Sequence, residues 1–364
     1  MTDSSDHPTS AQSAGLGRRR FLLGGAAVGG GVLLAGCTSN AAEPAAAATS
    51  APAAGASSAA APAAGTPVTI GFSAPAADHG WVAAISKNAA DQAAKYPDVT
   101  LNAVEATNDL NQQIASVETL INQKVDAIVM LPGEGKALTE VGRKAITAGI
   151  PVVNLDRIFD TPLAYRTYIG GDNYGLGVAA GDFIGARLKA AGVSNPVIGE
   201  IAGIDALPLT QQRSQGFKDA LARYGFKVTA RQAAQFTVES GQAVMANMLQ
   251  AQSKLDAVWN HDDDQGIGVL AAIEQANRDE FFMVGGAGSA NAMRDIKADN
   301  GVLKATVTYS PTMASSAISL ARLLAQGRGM GDLAELEVPA SLTLASATVT
   351  KDNVDRYLPL GFES

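Results

Sequence analysis

Asp156 and Arg157 stand side by side directly after the apolar, β-branched run Val152-Val153-Asn154-Leu155. Opposite charges in a loop usually form a solvated pair, but at the tip of a buried strand they are held where they can meet a ligand. Trp81 follows Asp78-His79-Gly80 at the start of a helical stretch and offers a flat apolar face that either joins the core or stacks on a ligand. Asp262-Asp263-Asp264 brings three carboxylates together. Consecutive acids point in different directions and lack the alternate spacing of a calcium loop, so no metal is expected there. A helix N-terminus accounts for the later two, because its unpaired N–H groups and its dipole favour negative charge.

The groups that turnover would need do not assemble. The three histidines lie in no Ser-His-Asp or metal-ligand arrangement that spacing can show. Gly175-x-Gly177-x-x-x-Gly181 has the wrong spacing for a dinucleotide fingerprint and no strand directly before it. Gly285-Gly286-Ala287-Gly288 is a tight loop with no phosphate-binding lysine after it. Neither catalysis nor a cofactor is expected, and a net charge of −8 lacks the basic excess that nucleic acid favours.

Strands and helices alternate along the chain. Pro67 to Ser73 reads as a strand; Val82, Ile85, Ala89 and Ala93 then fall at helical spacing within 81–95. The unit recurs as strand 99–104, helix 112–123, strand 127–131, helix 137–148 ending at Gly149, and strand 151–155. After Tyr168-Ile169-Gly170-Gly171-Asp172 the rhythm restarts, with helices over 176–190, 212–224, 241–252 and 267–275 and strands over 197–201, 227–233, 257–260 and 282–285. Such alternation implies an α/β protein with two doubly wound parallel-sheet, Rossmann-like domains, whose ligand sits beyond the carboxyl ends of the strands.

From about Val68 to Val349 the chain resembles the type I periplasmic sugar-binding proteins, the ribose-binding branch in particular. The resemblance is carried by Ser73 to Trp81, Asn154-Leu155-Asp156-Arg157, Gln211-Gln212-Arg213-Ser214-Gln215-Gly216-Phe217, Ala257 to Leu270 and Val284-Gly285-Gly286. It implies two lobes joined by three crossings, expected near Asp172, Tyr309 and Val338, that close on one ligand by a hinge motion. The lobes are then 67–172 plus 309–337, and 173–308 plus 338–364. By the same resemblance Asp156 and Arg157 hold neighbouring hydroxyls, Trp81 and Phe236 stack on the ligand, and Asp262 supplies a carboxylate. Ser73 matches a contact position, Gln211 stands where the ribose binder has an arginine, and Arg213 keeps the family's more structural one. Asp78 and His79 occupy a polar position beside the first ring. The departures are Gly286-Ala287-Gly288, where the branch has Gly-Phe-Asp, and Tyr309 in place of a glutamine; they imply a monosaccharide or polyol other than ribose.

The N-terminus reads as an address. Arg18-Arg19-Arg20-Phe21-Leu22-Leu23 resembles a twin-arginine export signal, and Leu34-Ala35-Gly36-Cys37 resembles a lipoprotein box whose cysteine becomes the lipidated first residue. The apolar run between them is shorter than the roughly 20 residues of a spanning helix. Residues 1–36 are thus expected to be a signal peptide, and 37–66, nearly all Ala, Pro, Ser, Gly and Thr, a flexible tether. Cys37 is the only cysteine, so no intrachain disulfide is available. The expectation is a monomeric substrate-binding lipoprotein at the outer face of the cytoplasmic membrane, handing its ligand to an ABC transporter permease. The alternatives are a sensor presenting a sugar or small signal to a membrane receptor and, from a different class, a carbohydrate-active enzyme.

Overall fold

Alternation of buried, β-branched strands with amphipathic helices is realised throughout residues 64–364, the part of the chain that a computed structural model describes. The signal segment, Cys37 and most of the tether lie outside the described residues. The first half runs β1 (Val68–Ser73), α1 (Gly80–Ala93), β2 (Val99–Ala103), α2 (Leu110–Asn122), β3 (Ala127–Met130), α3 (Gly135–Thr147), β4 (Val152–Leu155) and β5 (Thr167–Gly171). The second runs α4 (Asn173–Ala190), β6 (Ile198–Ala202), α5 (Pro208–Arg223), β7 (Ala230–Ala233), α6 (Val238–Ala251), β8 (Ala257–Asn260), α7 (Asp263–Gln275), β9 (Phe282–Ala287), α8 (Ala290–Ala298) and β10 (Leu303–Thr308). Then come α9 (Met313–Ala325), β11 (Ser341–Leu344), β12 (Thr348–Thr350) and α10 (Val354–Tyr357).

Two six-stranded sheets result, ordered β11-β5-β4-β3-β1-β2 and β12-β10-β9-β8-β6-β7. All pairings are parallel except β10 with β12. Strand order reverses beside β1 in the first sheet and beside β6 in the second, and such reversals open a crevice at the strand tips. β3 and β4 are buried along their whole length, as strands covered on both faces must be. Each fully buried Val, Leu or Ile there contributes about 1.5–3 kcal/mol.

One boundary moves. Ser341–Leu344 pairs in parallel with β5, so these residues complete the first sheet, and the chain leaves that lobe after Leu344 rather than near Val338. Only β12 and the C-terminal residues beyond it pack on the second sheet. The tether also ends a little early: Gly65 N donates to Asp98 Oδ2 at 2.6 Å, and Gln326 Nε2 donates to Thr66 O at 2.7 Å.

Helices begin about a turn before their apolar periodicity does. Asp109, Asp172, Thr237 and Asp262 each accept backbone N–H groups as N-caps, so the polar first turn belongs to the helix. The glycines at 177 and 181 are a packing seam. A methyl group on Gly177 would lie 2.0 Å from Arg213 O, and one on Gly181 2.6 Å from Ala220 Cβ, so α4 and α5 meet backbone to backbone.

Candidate functional site

At the tip of β4 the backbone of Asp156 takes a left-handed turn, with φ of 63°. That conformation costs about 1–2 kcal/mol in most residues and less in Asp or Asn. It is fixed from several sides. Asp156 N donates to Ile169 O at 2.9 Å, Tyr168 Oη donates to Asp156 O at 2.9 Å, and the buried Asn154 ties the loop through Arg157 O and Phe159 N. The carboxylate, itself buried, accepts the Tyr309 hydroxyl at 2.5 Å on Oδ1. Arg157 donates from Nη1 to Gly133 O at 2.6 Å, while its buried Nε has no protein partner.

Tyr309 follows β10 and faces both lobes. Its hydroxyl accepts from Asn173 Nδ2 at 3.2 Å, its carbonyl accepts from Trp81 Nε1 at 2.9 Å, and its ring lies 5.8 Å from that of Trp81. Burial and the neighbouring Asp156 charge hold the phenol well above its ordinary pKa, so it remains a donor to that carboxylate. Arg213 lies over the same ring at 4.6 Å, bound through Nε to Asn173 Oδ1 at 2.9 Å and through Nη1 to His261 O at 3.2 Å. Two of its five N–H donors are thereby used.

The opposite wall comes from the second lobe. Phe236, beyond β7, also has a left-handed backbone, with φ of 65°, and its N–H donates to Gln265 Oε1 at 3.1 Å. Its ring rests on Gly203, where a methyl group would stand 1.9 Å from Cζ. His79 lies 6.2 Å from this ring and shares a 2.5 Å hydrogen bond through Nδ1 with Asp78. Burial lowers a histidine's pKa, but the Asp78 hydrogen bond and the charges of Asp262 and Asp264 outweigh it and hold His79 above its ordinary value. Asp262 caps α7 with Oδ1, at 2.8 Å from Asp264 N. Burial, with the Asp264 charge beside it, pushes the Asp262 carboxyl up to about 7.

These side chains enclose one chamber between the lobes, lined by His79, Trp81, Asp156, Arg157, Phe236, Asp262 and Tyr309 together with Leu209 and Arg213. Its free volume is about 20 Å³, roughly the room of one water molecule, so any larger molecule enters only when the lobes part. An adjoining groove of about 480 Å³ shares Asp156, Arg157 and Leu209 and runs out past Glu134, Lys136 and Gln212.

Three of the expected residues lie elsewhere. Ser73 is buried and accepts Gln113 Nε2 at 3.2 Å, behind the chamber wall. Asp78 is half exposed and reaches the chamber only through His79. Gln211 points outward, its amide donating to Asp205 O at 3.1 Å. The reason is the start of α5: Pro208 is its first residue, so Leu209 and Arg213, four apart, share the inner face and Gln211 lies off it. Arg213 therefore borders the chamber as well as bracing it. The cue available in the sequence was that proline, since proline favours the first helical position. Among the acids, Asp263 is not a mere helix-end charge. It accepts Gly286 N at 2.9 Å, Gly288 N at 2.9 Å and Ser289 N at 2.8 Å, and so pins the loop after β9.

Residues 70–329 match the family model described as a periplasmic binding protein domain. The D-ribose/D-allose-binding protein of Pseudomonas aeruginosa is 30% identical over 236 residues, 64% of this chain and 73% of that protein. The ribose import binding protein of Bacillus subtilis is 31% identical over 246 residues, 67% of this chain and 77% of that protein. A crystal structure from Mycobacterium smegmatis in complex with beta-D-fucofuranose superposes with a TM-score of 0.71 at 26% identity, covering 80% of this chain and 94% of that one. These relatives are sugar-binding transport proteins and not enzymes. The chain belongs to the periplasmic binding protein family, as a type I sugar-binding protein of the kind that serves ABC transporters.

Proposed function

We propose that this protein captures a neutral monosaccharide or polyol between its two lobes and delivers it to the permease of an ABC importer. The observation that carries the reading is the composition of the chamber: two carboxylates, Asp156 and Asp262, face two guanidiniums, Arg157 and Arg213, among the rings of Trp81, Phe236 and Tyr309. Hydrogen-bond donors and acceptors fixed on opposite sides of the chamber suit a ligand with many hydroxyls, and the rings suit its C–H faces. An open form admits the ligand, the charged groups fix its hydroxyls, and ligand then favours the closed form by differential affinity. Arg157 Nε, buried and unpartnered in the protein, is a donor for one of those hydroxyls.

In the same proposal the protein is exported by the twin-arginine route and held at the membrane as a monomer through lipidated Cys37, with the lobes formed by 67–172 plus 309–344 and by 173–308 plus 345–364. Calorimetric titration with pentoses, hexoses and polyols tests the capture step, and a panel with no binder rejects it. Uptake of the tight-binding sugar in a strain lacking the gene separates import from sensing: undiminished uptake would remove the importer role. Cys37→Ser should release the protein from the membrane fraction.

A further inference from the structure

Helix α1 begins without a cap of its own. His79 holds the N-cap position but makes no side-chain hydrogen bond to the helix, and its first turn contains no acidic residue. The first N–H groups of a helix lack intrahelical partners, and a side-chain oxygen normally takes one of them. Here that oxygen arrives from the other lobe: Trp81 N donates to Asp264 Oδ2 at 2.8 Å, across 183 residues of sequence and out of contact with solvent. Asp264 is not the cap of its own helix, because Asp262 takes the N–H groups of Asp264 and Gln265. Nor does it border the chamber.

Gly80 makes the approach possible. A methyl group on it would stand 2.7 Å from Asp264 Oδ1, 2.7 Å from Ser364 Cα and 2.8 Å from Glu363 O, all in the second lobe. Its backbone is helical, so alanine there is a better helix former and harms only the meeting of the lobes.

We propose that Asp264 caps α1 from the opposite lobe, in the space that Gly80 leaves, and that this contact is a latch holding the lobes shut without touching the ligand. The latch deepens the capture reading, on which it rests for its purpose. Closing satisfies an N–H that the open form leaves to water, and it places one carboxylate in the first turns of two helices. Because the latch acts on the closed state and not on the ligand, it scales the affinity for every ligand by one factor.

The test uses the full chain with Cys37→Ser, spin-labelled through Ala115→Cys on α2 and Ala243→Cys on α6, with and without each member of a carbohydrate panel. Gly80→Ala should deplete the short interlobe distance and weaken all binders by the same factor, at least tenfold, with the melting temperature retained. Asp264→Ala should act in the same direction. A Gly80→Ala protein with wild-type distances overturns the latch, as does a wild type that never shows the short distance. A loss that differs severalfold between ligands overturns it too, since that marks a ligand contact. If the short distance is present but no carbohydrate enlarges its share, the carbohydrate reading falls while the Gly80→Ala comparison still decides the latch.

Discussion

Replacing Asp156 separates the backbone role of this residue from its charge. Asparagine tolerates the left-handed φ of 63° and can still accept the Tyr309 hydroxyl, so Asp156→Asn removes little but the negative charge. Hydrogen bonds to a charged group are worth about 1.5–3 kcal/mol against about 0.5–1.5 for neutral ones, so the expected loss is about 1.4 kcal/mol, or about tenfold in Kd. Alanine does more harm. It adds about 1 kcal/mol of left-handed strain and leaves the buried Tyr309 hydroxyl without its acceptor, at about 1–3 kcal/mol. With an unfolding entropy of about 2.1 cal/mol/K per residue over the folded body, a sum of about 3 kcal/mol lowers the melting temperature by about 5 °C. Titration calorimetry with the tightest-binding sugar and scanning calorimetry without it read the two effects separately. An Asp156→Asn protein that binds as tightly as the wild type would show that this carboxylate does not touch the ligand, and the assignment of the chamber would fail at its centre.

Gly203→Ala should tilt the Phe236 ring off its seat, costing about 1–3 kcal/mol of stability together with affinity for every sugar; unaltered melting and binding would mean that the ring has another resting place. Gln211→Ala should leave Kd within about twofold, whereas Arg213→Lys, which cannot serve both Asn173 and His261, should weaken binding by about tenfold or more; the reverse ranking would restore Gln211 to the site. Asp262 has a folded-state pKa of about 7 against an ordinary 3.8, so the folded protein keeps a proton that the unfolded chain has lost, and stability falls as pH rises through that window. Asp262→Asn preserves the cap and removes the penalty, so its advantage in melting temperature should grow between pH 4 and pH 7 and level off above; a constant difference would contradict the burial of that charge.

The strand and helix order as far as β9 was legible from apolar runs, and Asp156-Arg157 and Asp262 stood out because each comes just after a buried strand. Phe236 follows β7, which is neither apolar nor fully buried, and entered only through the resemblance. What stayed hidden has physical causes. Caps are polar, so hydrophobic periodicity starts late, and at α5 the resemblance favoured Gln211 where the helix, beginning at Pro208, turns Arg213 to the inner face. Ser341–Leu344 is four residues of alternating exposure at a sheet edge, too short to announce which sheet it joins. The left-handed turns at Asp156 and Phe236 are braced by tertiary hydrogen bonds, one donated by Tyr168 and one accepted by Gln265, which no local pattern encodes. The reach of Asp264 to Trp81 spans 183 residues and is equally silent.

The first sheet borrows its edge strand β11 and the helix α9 from beyond β10, after all but one strand of the second sheet. α9 covers α1, β3 and β4, so a nascent chain ending at Tyr309 would leave that hydrophobic face naked to solvent. Neither half can mature ahead of the other, and contacts this distant in sequence form slowly. Each sheet thus waits for a strand that lies beyond all or nearly all of the other: β11 for the first, β12 for the second.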